Sequence, residues 1–478
     1  MGTIQFIGRR KERAILEKAL TSAEAEMVAV IGRRRVGKTF LINNVYGPHI
    51  DFEITGIENT PLQRQLKNFA FQLSEASGEP VEKPANWFDA FVSLIAHLKT
   101  KQGQKKSVVF FDELPWLATP RSGFLDGLSF FWNSWAVKQN IVVVICGSAA
   151  SWMIQRVINH KGGLYNRVTK RVFLEPFGLA ETETYLKSRN VRLDRYQITQ
   201  LYMAMGGIPH YLKEVEAGKS AAQNIDEICF SKNGLLNTEF SRLYPALFKN
   251  ADRHIAVIRA LAQKRQGLSR KEIISATRFS DGGGVKRVLE ELLHSGFITA
   301  YYSFGKKKKD RIYRLTDEYS LFYLQFVEDK IYQGTEIWQK LSQTQNYKSW
   351  SGYAFESICL KHIPQVKKAL SIGGVYSEAA SFYKKGTPSQ RGAQIDLLID
   401  RNDHVINIFE IKFYGASFIL TKAYAQSLRE KMAAFKERTQ TPKQLFLSLI
   451  TTFGLTPNEH SIGLVDHVLT LNDLFEVV

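Results

Sequence analysis

The sequence contains little cysteine, and this excludes several kinds of protein. Its 478 residues include three cysteines, Cys146, Cys229 and Cys359, which stand far apart along the chain. Three scattered cysteines provide neither a disulfide framework nor the paired spacing of a zinc site. We therefore expect a cytoplasmic protein whose thiols are reduced.

Long apolar runs and targeting segments are also missing. No run approaches the roughly 18 residues that a membrane span needs, so we expect no membrane partner. The N-terminus has neither an apolar secretory segment nor the serine or threonine of a myristoylation signal. There are no repeats or low-complexity tracts, and the composition, 44% hydrophobic and 23% charged, is that of a globular protein. A chain of this length predicts about three or four domains.

Acidic residues are outnumbered by basic ones. The formal net charge is +18 and the sequence pI is near 9.5. An excess of lysine and arginine favours a polyanionic partner through counterion release, without specifying which polyanion. The alternative is a basic surface that serves solubility only. We expect a nucleic acid partner, DNA in preference to RNA, because two further elements of the chain point the same way.

A glycine-rich loop follows the first apolar strand. The strand Val28–Ile31 leads into Gly32-x-x-x-x-Gly37-Lys38-Thr39, which opens a helix. Loop N–H groups and the helix N-terminus can surround a polyphosphate, Lys38 can reach its β- and γ-phosphates, and Thr39 can hold Mg²⁺. The alternative is an ordinary Gly/Lys turn before a helix. The order of strand, loop and helix favours ATP as the ligand, with Mg²⁺.

Two later strands end in polar residues that could complete this site. The apolar strand Ser107–Asp112 is followed by Glu113, and the strand Ile141–Gly147 by Ser148. Asp112 could bind Mg²⁺ through water, and Glu113 could activate the water that attacks the γ-phosphate. Ser148 could sense that phosphate, or it could simply be the N-cap of the helix from Trp152 onward. A strand followed by two carboxylates predicts a buried parallel sheet with its chemistry at the carboxyl edge.

Beyond Pro176, which is expected to end the last strand of this sheet, the pattern becomes helical. Amphipathic helices predict a small lid in which only Gly206–Pro209 is expected to contact ligand. Three helices and a hairpin follow, the pattern of a winged helix. Its third helix carries Lys286 and Arg287, and its hairpin tip carries the lysines of 306–309. These could lie along phosphates, although a lysine-rich tip is usually a solvated turn and many winged helices bind protein.

The last part of the chain contains a second set of acidic and basic residues. The polar stretch 334–348 is interpreted as a domain boundary or a helical linker, and the helix after it carries Glu356. A predicted hairpin follows, with Asp396 on one strand and Glu410 and Lys412 on one face of the other. Carboxylate oxygens at Asp396 and Glu410 could hold Mg²⁺. Lys412 would then lower the cost of forming an attacking hydroxide.

The ordered motifs of the first 320 residues resemble the prokaryotic ATPases of the AAA+/STAND group, whose core is similar to that of origin-recognition ATPases. The resemblance implies that Arg9 lies near the base or ribose, that Arg167 is an arginine finger or sensor, and that Pro209 is a lid contact. One departure is His210, where many AAA+ lids carry an arginine, which argues against a ring; monomer and homo-oligomer both stay open. Six segments carry the resemblance: Phe6–Arg9, Gly32–Thr39, Phe110–Glu113, Cys146–Ser148, Leu164–Arg167 and Gly206–Pro209.

The carboxyl-terminal motif resembles the PD-(D/E)xK nuclease superfamily. Glu356, Asp396, Glu410 and Lys412 match its four positions, Gln426 matches only weakly, and the proline before Asp396 is absent. The resemblance implies a restriction-endonuclease-like α/β fold. The predicted fold class is therefore α/β: a P-loop ATPase core with a parallel sheet in residues 1–175, a helical lid in 176–248, a winged helix in 249–318 and a nuclease-like domain in 319–478.

The predicted site residues fall into three groups. The predicted catalytic residues are Lys38, Glu113 and Arg167 in the ATPase core and Glu356, Asp396, Glu410 and Lys412 in the last domain. The expected ligands of Mg²⁺ are Thr39, Asp112, Asp396 and Glu410. The residues expected to bind ATP are Arg9, Gly32, Arg33, Arg34, Arg35, Val36, Gly37, Lys38, Thr39, Phe40, Ser148 and Pro209.

Two functions follow from these motifs. The first is an ATPase coupled to DNA binding and to Mg²⁺-dependent cleavage of a phosphodiester. The second is an ATP-driven regulatory or signalling switch whose last domain is a non-cleaving scaffold for nucleic acid or protein. Intact Asp396, Glu410 and Lys412 favour the first, and the missing lid arginine favours the second.

Overall fold

The computed structural model describes residues 6–101, 103, 105–159, 162–305, 311–330, 332, 334–384 and 392–478. The chain divides into two compact units. The first comprises Met1–Pro176 with Leu247–Lys249, and the second comprises Phe177–Ala246 with Asn250–Val478. The expected lysines of residues 306–309 lie outside the described residues. The described helices include none that is both long enough and apolar enough to cross a membrane.

The first unit is built on a five-stranded sheet with the order β2-β3-β4-β1-β5, in which every pairing is parallel. Strands β1 and β4 are buried along their whole length. This explains their continuous apolar sequence, because a parallel sheet is covered on both faces. The strands are β1 (Glu26–Ile31), β2 (Ile50–Thr55), β3 (Ser107–Asp112), β4 (Ile141–Gly147) and β5 (Lys170–Phe173).

Helices of the first unit cover this sheet. A cluster of aromatic side chains from the sheet and helices lies at the centre of the core, where Trp87 packs edge-on against Phe69 and Phe124. The Asn86 side chain accepts a hydrogen bond from the Asp89 N–H, which begins one of these helices. The helices are α1 (Arg10–Thr21), α2 (Lys38–Tyr46), α3 (Leu62–Ser77), α4 (Trp87–Thr100), α5 (Leu114–Leu117), α6 (Phe124–Phe130) and α7 (Ala150–Met153).

The second unit begins with helices and continues into a small antiparallel sheet with the order β6-β8-β7. Ser269 and Glu272 form a capping box at the start of α14. The elements are α8 (Leu179–Ser188), α9 (Arg195–Met205), α10 (Pro209–Leu212), α11 (Ala221–Ile225), α12 (Glu239–Leu243), α13 (Ala251–Ala262), β6 (Leu268–Ser269), α14 (Arg270–Thr277), α15 (Gly283–His294), β7 (Ile298–Tyr301) and β8 (Ile312–Leu315).

A second five-stranded sheet, of mixed direction, completes this unit. Its order is β15-β13-β11-β10-β9; β9, β10 and β11 are antiparallel neighbours, whereas β11, β13 and β15 are parallel. The elements are α16 (Glu318–Phe326), α17 (Ile337–Leu341), α18 (Gln345–Lys361), α19 (Ile363–Ala369), β9 (Ser377–Lys384), β10 (Ala393–Arg401), β11 (Val405–Lys412), β12 (Phe418–Ile419), α20 (Lys422–Thr439), β13 (Gln444–Thr451), β14 (Leu455–Thr456), β15 (His467–Thr470) and α21 (Leu471–Leu474).

One sequence-based expectation about these elements is wrong, because strand β5 ends at Phe173 rather than at Pro176. The alternative role for Ser148, that of a helix N-cap, is not taken up, since the N-cap of α7 is Ala149. The polar stretch 334–348, interpreted as a boundary or helical linker, is helical in part. It contains α17, whose Trp338 is 3% exposed and packs against the rings of Phe322, Phe326 and Trp350. Trp338 therefore fixes this stretch to the core. The polar average composition of residues 334–348 does not indicate this contact.

Candidate functional site

The glycine-rich loop connects β1 to α2 in a conformation that requires its glycines. A Cβ added to Gly32 would lie 2.3 Å from the carbonyl oxygen of Leu174. Gly37 has a φ of 91°, a left-handed conformation that favours glycine. Any larger residue at Gly32 would therefore push the loop away from the strand edge.

Lys38 and Thr39 lie where the loop enters the helix. Lys38 is 6% exposed, and its Nζ donates a hydrogen bond to the Arg33 carbonyl at 3.1 Å. Thr39 Oγ1 donates to Asp112 Oδ2 at 2.8 Å, which joins the loop to the end of β3. Hydroxyl and carboxylate oxygens are ligands that suit magnesium. The structure thus brings together Lys38, Thr39 and Asp112, as the sequence predicts.

Glu113 and Ser148 also meet. The Ser148 backbone N–H and hydroxyl both donate to Glu113 Oε2, at 3.1 and 2.8 Å. Glu113 has a φ of 46°, and its own N–H donates to Asp112 Oδ1 at 2.9 Å. The candidate base, Glu113, is therefore held by the candidate sensor, Ser148. The sequence predicts that both belong to one site, but it does not predict this contact.

The environment of Asp112 is acidic. Burial, together with the Asp112 carboxylate, raises the pKa of Glu53 on the neighbouring strand β2. Thr55 on the same strand stands opposite Asp112 in the parallel pairing. A magnesium ion would reduce the repulsion between these carboxylates, which is a physical reason for cation binding at this edge.

The other predicted nucleotide contacts lie at varied places. Arg9 is buried, and its Nη2 donates to the Val36 carbonyl at 3.3 Å, so it reaches the loop. Arg34 lies over the Trp116 ring at 5.8 Å. Arg35 is half-buried with a φ of 72°, whereas Phe40 is exposed on α2 and stacks on Phe6.

Arg167 and Pro209 are further candidates. Arg167 is exposed, and its N–H bonds the Leu164 carbonyl in a turn before β5. Pro209 is half-buried and is the first residue of α10, in the second unit. Their roles toward the nucleotide remain predictions.

The carboxyl-terminal candidates form a second cluster. Glu356 lies on α18, Asp396 on β10, and Glu410 and Lys412 on β11. Leu397 pairs with Phe409 across the hairpin, so Asp396 and Glu410 are the next residues along the two strands. Burial, with repulsion from Asp396 and Glu410, raises the pKa of Glu356 to about 8, although Arg314 and Lys412 act in the opposite direction.

Glu410 is the most heavily contacted member of this cluster. It is 8% exposed and lies 2.6 Å from Lys431 Nζ and 3.0 Å from Lys412 Nζ. The Tyr424 hydroxyl also donates to it. Burial alone would raise the pKa of Glu410, but the two lysines outweigh burial and lower it.

Lys431 and Tyr424 were missed by the sequence reasoning, which considered Gln426 instead. Gln426 is exposed, and its amide bonds Glu430 at 3.1 Å. Residues 424, 428, 431 and 435 share one helical face, whereas position 426 points elsewhere at 3.6 residues per turn. Buried Leu428 and Phe435 at this spacing were the signal that could have identified the inward face.

Arg314 is a further residue that the sequence did not single out. It extends from β8 and is 7% exposed, with Nη2 3.9 Å from Glu356 Oε2. Its guanidinium lies over the Tyr353 ring at 5.1 Å, and its Nε has no hydrogen-bond partner. Arg314 thus adds a buried positive charge beside Glu356. Its position depends on the pairing of β8, which lies in a different part of the chain from Glu356.

The described residues include no group of three or more His, Cys, Asp or Glu side chains placed to hold a metal ion. Magnesium is commonly bound through one or two carboxylates together with water and substrate phosphates. Asp396 and Glu410 supply donors of that kind and number. Lys431 and Lys412 already neutralise Glu410, so a cation there would compete with them.

The predicted DNA-binding helix α15 presents Lys286 and Arg287 to solvent. Lys286 lies 3.8 Å from Glu290, and Arg287 lies 2.8 Å from Glu291. The Lys286–Glu290 pair is exposed and contributes only a few tenths of a kcal/mol, roughly, whereas Glu291 is half-buried and also contacts His254 at 2.8 Å. A phosphate could therefore replace Glu290 at low cost.

A glycine-rich loop at the carboxyl end of a central parallel strand, with Thr39 bonded to Asp112, defines the first unit as a P-loop nucleotide-binding domain. Residues 6–215 match a protein family described as an ATPase domain predominantly from Archaea. The match supports an ATPase and agrees with the observed α/β fold and parallel sheet.

Individual relatives cover more of the chain. An uncharacterised protein of Methanocaldococcus jannaschii is 22% identical over 419 residues, which cover 85% of this chain and 87% of that protein. A Walker-type ATPase of Pyrococcus abyssi is 15% identical with a TM-score of 0.49, covering 67% of this chain and 96% of its own. The ORC2 protein of Aeropyrum pernix is 16% identical with a TM-score of 0.41, covering 71% and 96%.

Proposed function

We propose that the protein is an AAA+/STAND-type ATPase coupled to DNA binding and to Mg²⁺-dependent cleavage of a phosphodiester by its carboxyl-terminal domain. The observation that carries the cleavage is the convergence of Glu356, Asp396, Glu410 and Lys412 in one cluster, in which Glu410 is buried and the other three are half-buried. Acidic groups whose environments push their pKa values apart are typical of catalytic sites.

ATP hydrolysis is assigned to the first unit. Lys38 would exchange its contact with the Arg33 carbonyl for the β- and γ-phosphates, and Thr39 and Asp112 would hold the accompanying magnesium ion. Glu113 would orient and deprotonate the attacking water. Both hydrogen bonds from Ser148 go to Oε2 of Glu113, so Oε1 can accept the proton from water while Ser148 holds the carboxylate in place.

Phosphodiester cleavage is assigned to the second cluster. Asp396 and Glu410 would hold magnesium, which stabilises the charge that grows on a scissile phosphate. Lys412, whose pKa Glu410 raises in spite of burial, would favour the hydroxide form of the attacking water by its positive charge. Residues 251–315, with three helices and a three-stranded antiparallel sheet, would act as a winged helix that contacts DNA.

A second candidate function is a regulatory ATPase whose carboxyl-terminal domain binds without cleaving. Its support is the environment of Glu410, where two lysines and Tyr424 already satisfy the carboxylate. A buried ion pair of this kind can be purely structural. The two functions differ in whether Glu410 exchanges Lys431 for a cation.

Cleavage of plasmid DNA by the full chain with Mg²⁺ separates the two functions. We expect Glu410→Ala and Lys412→Ala each to reduce cleavage at least a hundredfold, on the order of 3 kcal/mol of transition-state stabilisation. The charge-matched controls Glu459→Ala and Lys340→Ala, at exposed positions, should cleave normally. Equal cleavage by all five proteins would refute the nuclease assignment, and no cleavage by the wild type under any nucleotide would favour the scaffold.

A further inference from the structure

The second unit contains a cleft of about 820 Å³, and Asp396 lines it. The cluster of Glu356, Asp396, Glu410 and Lys412 is called the Asp396 cluster below. One wall comes from the β6-β8-β7 sheet and the start of α14, and the other from β9 and β10. Several contacts join the walls, among them the Phe304 N–H, which donates to the Ser381 carbonyl at 2.8 Å, and the Gln266 amide, which donates to Gln394 at 2.5 Å. The small sheet and the mixed sheet therefore form one continuous surface around this cleft.

Positive charge dominates the lining. Five cationic side chains face two carboxylates, Glu272 and Asp396. Only weak or exposed pairs offset the cations, such as Lys264 with Glu272 at 4.0 Å and Arg270 with Asp281 at 2.5 Å. A concave surface of one sign focuses the electrostatic potential and attracts a polyanion. The five cations are Lys264, Arg270, Lys271, Arg311 and Arg314.

Arg314 links the cleft to the cluster of carboxylates. It lines the cleft, it is 7% exposed, and its Nε has no hydrogen-bond partner. A buried guanidinium normally has its N–H donors satisfied, because an unsatisfied donor costs free energy. A phosphate in the cleft would be attracted by the positive charge of this guanidinium and would lie close to Asp396, which lines the same cleft.

The size and the aromatic lining of the cleft suit single-stranded rather than double-stranded nucleic acid. The cleft volume of 820 Å³ is typical of a small-molecule site. A site of this size has room for a short length of a single nucleic acid strand. Duplex DNA is instead contacted by inserting protein elements into its grooves. Tyr383 lines the cleft from the edge strand β9 and is 55% exposed, so its ring is open to a base. Aromatic platforms beside basic grooves are the usual means of holding single strands.

We propose that this cleft binds single-stranded DNA, with Arg314 contacting a phosphate next to the Asp396 cluster and Tyr383 stacking on a base. The proposal rests on the proposed function in one respect, since it supplies the strand that the carboxylate cluster would cut. It adds a substrate class, because a strand held here enters between the two sheets of the second unit. Duplex contacts remain assigned to α15.

Fluorescence anisotropy of the full chain with EDTA and without nucleotide tests the cleft apart from cleavage. The probes are a labelled oligothymidine of about 20 nucleotides and a duplex of the same length. We expect Lys264→Ala/Lys271→Ala to weaken binding of the single strand about tenfold or more at low salt. The slope of log K against log salt should fall by about 1.4, since each single-strand phosphate contact contributes about 0.7. Tyr383→Ala should also weaken the single strand about tenfold and leave the duplex unchanged.

The matched control is Lys187→Ala/Lys232→Ala, which removes the same charge from exposed positions among the helices that follow residue 176. It should alter neither the affinity nor the salt slope. If the cleft and control variants bind the single strand equally, the cleft proposal is wrong even where plasmid cleavage succeeds. If single-strand binding depends on the cleft but no Mg²⁺-dependent cleavage occurs, the proposed nuclease activity fails and the cleft proposal stands.

Discussion

At the scale of single residues, each candidate site depends on groups that are held by a neighbour before any ligand binds. Lys38 bonds a loop carbonyl, Glu113 bonds Ser148, and Glu410 bonds two lysines. Ligand binding at Lys38 and Glu410 would therefore exchange one partner for another. The balance between these partners decides whether ligand binding is favourable.

The first prediction concerns Lys38. We expect Lys38→Ala to abolish ATP hydrolysis, because the alanine cannot contact the β- and γ-phosphates. The measurement is steady-state phosphate release by the full chain. Lys18→Ala, an exposed lysine on α1, is the matched control and should hydrolyse ATP normally. Full activity in Lys38→Ala would refute the assignment of the P-loop site.

The second prediction concerns the pH dependence of stability at Glu356. Its folded pKa, about 8, lies above the ordinary value of 4.5, so the folded state binds the proton more tightly than the unfolded state. Stability is therefore unaffected by this group below pH 4.5 and falls as the pH rises toward 8, where the buried carboxylate becomes charged.

Glu356→Gln removes this penalty because the amide does not ionise. We expect the variant and the wild type to melt at similar temperatures near pH 4.5, and the variant to melt on the order of 5 °C higher at pH 8.5. Differential scanning fluorimetry at the two pH values measures this. A difference in Tm that is the same at both values would contradict the raised pKa.

At the scale of elements, helix α20 decides the environment of Glu410. Its inward face carries Tyr424 and Lys431, while Gln426 faces solvent and bonds Glu430. The helix was predicted to supply one weakly matching residue. It instead supplies two strong contacts, because a residue's position around the helix axis decides what it can reach.

The third prediction follows from this face. Lys431→Met should lower the free energy of unfolding by about 1–3 kcal/mol, because the buried carboxylate of Glu410 would lose one of its two half-buried lysine partners. Gln426→Ala on the same helix should change it by less than about 0.5 kcal/mol, as expected of an exposed residue. Urea denaturation followed by circular dichroism measures both. Equal stability of the two variants would show that Lys431 does not support Glu410.

At the scale of the whole molecule, the two candidate sites belong to different compact units. The phosphate loop and its partners lie in the first unit. The Asp396 cluster, the basic cleft and the three helices and small sheet of residues 251–315 lie in the second. The chemistry of each site should therefore be separable by mutation, even if one regulates the other.

The fourth prediction tests this separation. We expect Glu410→Ala to lose DNA cleavage while it keeps ATP hydrolysis within about twofold, because its side chain makes no contribution to the P-loop site. Phosphate release and plasmid cleavage, measured on the same preparation, check it. Loss of ATP hydrolysis together with cleavage would mean that the carboxylate cluster acts on the ATPase.

Much of the local chemistry of both sites can be read from the sequence without coordinates. The apolar strands that end at Ile31 and Asp112, and the two strands that carry Asp396 and Glu410, are present in the structure where the sequence predicts them, because strand patterns are local. Positive charge, scattered cysteines and the capping box at Ser269 could likewise be interpreted without coordinates.

The partners of these groups depend on the tertiary structure. Arg314 approaches Glu356, Lys431 pairs with Glu410, and Ser148 holds Glu113. Each contact joins two elements that are separated along the chain. Its formation therefore depends on packing rather than on local sequence. For this reason the sequence could place Asp396 beside Glu410, whereas the basic cleft that leads to them emerged from the pairing of two separate sheets.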